Sequence, residues 1–113
     1  MLLSDHKSVL VVVAHQDDAE VLFGGTVARL VEMGARVNYV LCTDGARSGP
    51  DVGASDEAVG GTRAREQQAA ARVLGVEEVV FLGYRNGSTE PTVELRRDLV
   101  REIRRSRPSL VLT

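Results

Sequence analysis

The sequence predicts an α/β domain, a parallel sheet with helices on both faces. Three observations carry that expectation. Apolar runs of strand length alternate with longer amphipathic segments. The first run, from Val9 to Val13, is unbroken and rich in β-branched residues, the mark of a strand buried on both faces. Gly34, Gly75 and Pro108 fall where helices should stop. Repeated strand and helix in this order calls for parallel pairing.

Each element has its own signal. Residues 8–14 read as the first strand. Residues 18–33 read as a helix ended by Gly34, and 35–43 as the second strand. Residues 62–74, rich in Ala, Arg and Gln, form a second helix closed by Gly75, and 78–82 a short third strand. Residues 92–106 form a third helix, with Leu95, Leu99, Val100 and Ile103 on one face. Pro108 terminates it, and 109–113 begin a fourth strand. Between the second strand and second helix lies a long loop, 45–61, with five glycines and one proline. Such a loop is either a lid over a site or disordered. Gly24 and Gly25, inside the first helix, suggest close helix packing or a kink.

The bulk numbers bound the function. With 113 residues the chain makes one small domain, 1–113. It stops inside the fourth apolar run, so a truncated domain is expected. Net charge is −2, with 43% hydrophobic and 27% charged residues. Nothing in that balance favours nucleic acid or an anionic membrane. Six arginines of the third helix (Arg96, Arg97, Arg101, Arg104, Arg105, Arg107) are interleaved with Glu94, Asp98 and Glu102, which reads as a solvated, ion-paired face. No run is long enough to span a membrane. Lys7 precedes only a short apolar run leading into acids, unlike a signal peptide. The single cysteine, Cys42, sits in an apolar run and reads as a core thiol in a reducing compartment, so cytoplasmic is the default location.

The first strand ends abruptly in His15-Gln16-Asp17-Asp18-Ala19-Glu20. Burying such charge is costly unless it is paired. In open parallel sheets ligands gather at the carboxyl ends of strands, where strand order reverses. His15 and Asp18 can converge across a strand-to-helix turn, while the adjacent Asp17 diverges. That spacing supplies a nitrogen ligand, an oxygen ligand and a free carboxylate for general-base work within four residues. A divalent cation would also offset the two aspartates. The competing reading is a plain turn that caps the next helix. A phosphate-receiver domain needs an acceptor aspartate after the third strand, and Phe81-Leu82-Gly83-Tyr84-Arg85-Asn86 has none. A dinucleotide-binding domain needs a glycine-rich turn after the first strand, which is also absent.

Ala14-His15-Gln16-Asp17-Asp18-Ala19-Glu20, followed by Gly24-Gly25-Thr26, resembles the A-H-P-D-D-x-E signature of the LmbE-like / PIG-L deacetylases. Further segments resemble the same family: Leu41-Cys42-Thr43-Asp44-Gly45, Arg63-Ala64-Arg65-Glu66 with its Leu74-Gly75-Val76 ending, Val80 to Tyr84, and Arg107 to Thr113. The likeness covers nearly the whole chain but only the N-terminal half of a usual member. It implies a Rossmann-like sheet of order 3-2-1-4 with the C-terminal part of the fold missing. It implies zinc-dependent removal of an N-acetyl group from N-acetylglucosamine-type conjugates. His15 and Asp18 would hold the zinc, and Asp17 would be the general base. Arg63, Asp44 and Asn86 would meet a small N-acetylated amino-sugar substrate.

Three departures qualify the resemblance. Gln16 replaces the family's proline, which loosens the turn. Asn86 stands where an aspartate is common, keeping hydrogen bonds but losing charge. The family's further zinc histidine, beyond the fourth strand, is not in this sequence. His6 cannot replace it: nine extended residues, roughly 30 Å, separate it from His15. His6 therefore reads as a solvated side chain at the opposite edge. Asp44 ends the neighbouring strand and could offer an oxygen, although Asp-Gly usually marks a turn. The alternative to an enzyme is a non-catalytic remnant that folds and holds metal weakly. An open edge on the fourth strand would invite pairing with another chain, so a homo-oligomer is also expected.

Overall fold

The computed structural model describes residues 2–46, 53 and 55–113. Four strands, β1 (Ser8–Val13), β2 (Arg36–Thr43), β3 (Glu78–Tyr84) and β4 (Leu110–Leu112), form one parallel sheet in the order β3-β2-β1-β4. Three α-helices, α1 (Asp18–Glu32), α2 (Asp56–Leu74) and α3 (Val93–Ser106), connect them, and a short 3-10 turn covers Leu3–Asp5. The expected order is therefore the observed one. Among the described residues no helix is long and apolar enough to cross a membrane.

The strands alternate their side chains between two faces. Val9, Val11 and Val13 of β1 join Val37, Tyr39 and Leu41 of β2 under Ala19, Val27 and Leu30 of α1 and Ala71 of α2. These residues make the main core, and most of them are fully buried. Leu10, Asn38 and Val40 point to the other face, where α3 lies over β1 and β2. Burial on both faces explains why β1 carries no exposed residue.

Five local expectations change. First, α2 begins at Asp56, well before residue 62. Ser55 caps it, its Oγ accepting from Ala58 N at 3.1 Å, and Asp56 and Glu57 complement the helix N-terminus. Gly60 then passes the end of β2, where a Cβ would sit 3.4 Å from Asp44 O. Gly60 and Gly61 thus belong to a helix rather than to the loop. Of the loop read as lid or disorder, residues 47–52 and 54 lie outside the described residues.

Second, β3 runs on to Tyr84 through an irregularity opposite Leu41 and Thr43, which Gly83 accommodates at φ +77°. Third, α3 is rotated relative to its expected apolar stripe. Leu95 and Leu99 are half-buried, but Val100 and Ile103 are exposed, and Glu102 and Ser106 are buried instead. Polar contacts accompany this rotation. Tyr84 OH donates to Asp98 at 2.6 Å, which pushes the phenol pKa up to about 12. Arg105 bridges Glu78 and Glu102 at 2.8 and 2.7 Å, and Ser8 Oγ donates to Ser106 O at 3.1 Å. Arg101 pairs with Asp98, as expected of an ion-paired face, whereas Arg96, Arg97 and Arg104 line an open groove with Val93 and Val100.

Fourth, Gly24 and Gly25 serve no close packing, since a Cβ at either would meet no described atom within 4 Å. His6 also differs from its reading as a solvated side chain. It is 9% exposed, and its Nδ1 lies 3.2 Å from Ser109 Oγ at the start of β4. This still places it at the amino edge of the sheet, away from His15.

Candidate active site

The carboxyl ends of β1, β2 and β3 meet above the α1 N-terminus. β1 delivers His15 and Gln16, and Thr43 holds the next strand in register by donating from N and Oγ1 to Ala14 O at 2.9 and 2.8 Å. The chain then turns sharply. Asp17 takes a left-handed backbone, φ 77°, which only one other described non-glycine residue, Arg107, shares. Asp18 Oδ2 folds back and accepts from His15 N at 2.9 Å.

His15 and Asp18 converge as expected. His15 Nδ1 lies 3.5 Å from Asp18 Oδ2, and both side chains are partly exposed. His15 Nε2 lies 2.7 Å from Asn86 Oδ1. In the tautomer that donates Nε2–H to Asn86, the Nδ1 lone pair faces the Asp18 carboxylate. In that tautomer the two acceptors leave a position between them that a cation would fit. Ligands bound at ~2.0–2.1 Å to a tetrahedral ion lie about 3.3 Å apart, close to this separation. The donor types suit zinc, and they make two ligands. Among the described residues no cluster of three His, Cys, Asp or Glu side chains completes the set.

Asp17 stands apart from that pair. It occupies the N-cap position of α1, yet its carboxylate makes no capping bond and is 62% exposed. Its nearest partner is Arg63 NH2 at 3.5 Å, and the same NH2 donates to Gln16 O at 2.9 Å. Arg63 thus reaches this turn from α2. Asp44 lies at the rim, where Oδ1 accepts from Ala46 N at 3.1 Å and Asn86 N at 3.0 Å. That carboxylate ties β2 to the segment after β3, the turn role weighed for it. Asn86, 9% exposed, closes the site beside His15.

Gln16 is not a loosely held replacement for proline. It is 2% exposed, packs under Gly45, and its Nε2 donates to Thr43 O and Asp44 O at 3.4 Å each. Gly45, at φ +66°, has no room for a side chain, because a Cβ there would collide with Gln16 Oε1.

Sequence reading missed two participants. Gln67 of α2, 2% exposed, accepts from Asp17 N at 3.1 Å and donates to Glu20 Oε1 at 2.6 Å. Glu20 Oε2 and Tyr39 OH are buried nearby without a hydrogen-bond partner among the described residues. Burial, then the charge of Glu20, holds the Tyr39 phenol well above its usual range. A glutamine two turns from a helix end carries no sequence signal of such contacts. Only a buried polar position on a helical face could have hinted at it.

Cys42 is half-buried, and desolvation pushes its thiol pKa upward. That is the opposite of an activated nucleophile.

Comparison with known proteins places this geometry. The chain is 34% identical over 109 residues to a diacetylchitobiose deacetylase of Thermococcus kodakarensis, covering 96% of this chain and 41% of that protein. Its fold matches the N,N'-diacetylchitobiose deacetylase from Pyrococcus horikoshii, complexed with the inhibitor MPG, at a TM-score of 0.93 and 35% identity. That match again covers 96% of this chain and 41% of the other. It also matches GalB, the 4-carboxy-2-hydroxymuconate hydratase of Pseudomonas putida KT2440, at a TM-score of 0.87 and 28% identity, covering 95% and 46%. The chain therefore spans about two fifths of the relatives it matches. The family model for GlcNAc-PI de-N-acetylase matches residues 10–113. With the expected sheet order and the His15–Asp18 pair in place, the chain belongs to the PIG-L family of de-N-acetylases.

Proposed function

We propose that this chain carries the catalytic N-terminal part of a zinc-dependent deacetylase acting on N-acetylglucosamine-type conjugates. The observation that carries the reading is the separation of side chains at one turn. His15 and Asp18 converge at 3.5 Å, while Asp17 keeps an uncapped carboxylate beside Arg63. The deacetylase relatives support the reaction class, and the hydratase relative shows that the fold serves other chemistry too.

In this mechanism His15 and Asp18 would hold the metal, with further ligation needed from outside the described residues. The chemistry a bound zinc supplies is Lewis acidity toward the acetamide carbonyl and water. Asp17 accepts the proton of the attacking water. It returns that proton to the sugar nitrogen as the carbon–nitrogen bond breaks, leaving the free amine and acetate. Arg63 and Asn86 line the approach and donate to sugar hydroxyls, with Asp44 fixing the Asn86 segment. The reading keeps the protein in the cytoplasm, where the unactivated Cys42 stays reduced.

Metal analysis and an acetate-release assay test this. If the chain holds catalytic zinc, near-stoichiometric zinc, lost in His15→Ala, is the expected result; with His15 and Asp18 as the sole protein ligands among the described residues, metal is held weakly. Asp17→Asn should keep the metal and lose deacetylation of N,N'-diacetylchitobiose. Zinc content untouched by His15→Ala, or full turnover in Asp17→Asn, refutes the assignment. Metal binding without turnover in the parent protein favours the non-catalytic alternative.

A further inference from the structure

The left-handed turn at Asp17 is held from outside its own segment as well as by the His15–Asp18 turn. An N-cap residue ordinarily has extended backbone, and its side chain caps the helix. Asp17 does neither: φ is 77° and the carboxylate makes no cap bond. Its backbone N–H is answered instead from α2, by Gln67 Oε1 at 3.1 Å. The other end of that amide donates to Glu20 Oε1 at 2.6 Å. One buried side chain therefore spans the first turn of α1. Arg63, four residues earlier on α2, grips the adjoining carbonyl of Gln16 at 2.9 Å. Arg63 and Gln67 share a helical face, so α2 holds residues 16, 17 and 20 together.

We propose that Gln67 is a positioning residue for Asp17: its amide locks the left-handed turn that keeps the Asp17 carboxylate off the α1 cap and beside Arg63. The proposal rests on the reading of Asp17 as the base. Gln67 itself touches no reacting atom. Its polarity is what matters. Leucine would leave the Asp17 N–H unanswered, and glutamate would set one carboxylate against Glu20. Swapping the pair, Gln67→Glu with Glu20→Gln, restores both bonds. The amide now on α1 donates to the carboxylate now on α2, whose second oxygen accepts from Asp17 N.

The experiment compares the parent protein, Gln67→Leu, Gln67→Glu and the Gln67→Glu/Glu20→Gln swap. Two quantities are read: hydrogen exchange of the Asp17 amide by NMR, and kcat and KM for diacetylchitobiose. Expected are amide exchange about 10-fold faster and kcat about 10- to 100-fold lower in the single variants, with KM nearly unchanged. The swapped variant should recover most of both. It also keeps the test decisive if Gln67→Leu fails to fold. Unchanged Asp17 amide protection in Gln67→Glu overturns the proposal, and so does lost protection with undiminished kcat. Amide protection reads the hold of Gln67 independently of turnover. Full activity in Asp17→Asn would instead overturn the base assignment while leaving that hold measurable.

Discussion

Replacing Gly45 by alanine tests how Gln16 is built into the site. Gly45 has φ +66°, a conformation that costs an L-residue about 1–2 kcal/mol. The added Cβ would also strike Gln16 Oε1. The Gln16 side chain is 2% exposed and cannot retreat without giving up its contacts to Thr43 O and Asp44 O. At 3.4 Å those bonds are long, so together they contribute on the order of 1 kcal/mol. Gly45→Ala should therefore cost about 2–3 kcal/mol. For a chain of this length that is roughly 4 °C of Tm per kcal/mol, a drop of about 8–12 °C. In a Gln16→Ala background the collision vanishes and only the backbone term remains, about 4–8 °C. Thermal melting followed by circular dichroism on the four proteins gives the coupling directly. A coupling near 1 kcal/mol is expected. Additivity within about 0.5 kcal/mol would refute the claim that Gln16 fills the space a Cβ needs.

Three further outcomes follow from the same coordinates. Leu30→Ala empties a site at 0% exposure between α1 and the sheet and should cost about 2–5 kcal/mol in urea denaturation; a loss under about 1 kcal/mol would mean that the core is misplaced. Asp17→Gly and Asp17→Ala both lack the carboxylate, yet the glycine variant should be more stable by about 0.5–1 kcal/mol, since only alanine strains a left-handed backbone; equal melting temperatures would contradict the φ of 77°. The Cys42 thiol pKa is raised by burial, so the neutral thiol is the form that favours folding. Its contribution is complete below the unfolded thiol pKa, near 9, and is lost as pH rises through the higher folded value. Cys42→Ala should flatten the alkaline fall in stability, and a parallel fall in both proteins would exclude Cys42 as a source.

Much of the architecture was legible because its causes are local. The β-branched run of β1 and the glycine stop at Gly75 with φ +78° act within a few residues, and the sequence pattern records them. The pairing of His15 with Asp18 was equally local, three residues across one turn. The start of α2 was hidden because Gly60 and Gly61 imitate a loop, while Ser55 and the acids after it form an adequate cap. The face that α3 presents was hidden because its partners Tyr84, Glu78 and Ser8 lie outside the helix, and periodicity within the helix does not record them.

By itself, then, the sequence determined the order of strands and helices, the edge where charge collects, and the convergence of His15 with Asp18 there. Tertiary structure alone decided how those residues are held. Asn86 meets His15 across 71 positions, Gln67 meets Asp17 across 50, and Arg63 meets Gln16 across 47. A hydrogen bond depends on separation in space, and separation along the chain says nothing of it until the sheet has closed. The left-handed turn at Asp17 shows the division most plainly. Its residues are written in one segment, and the amide that answers its backbone comes from another.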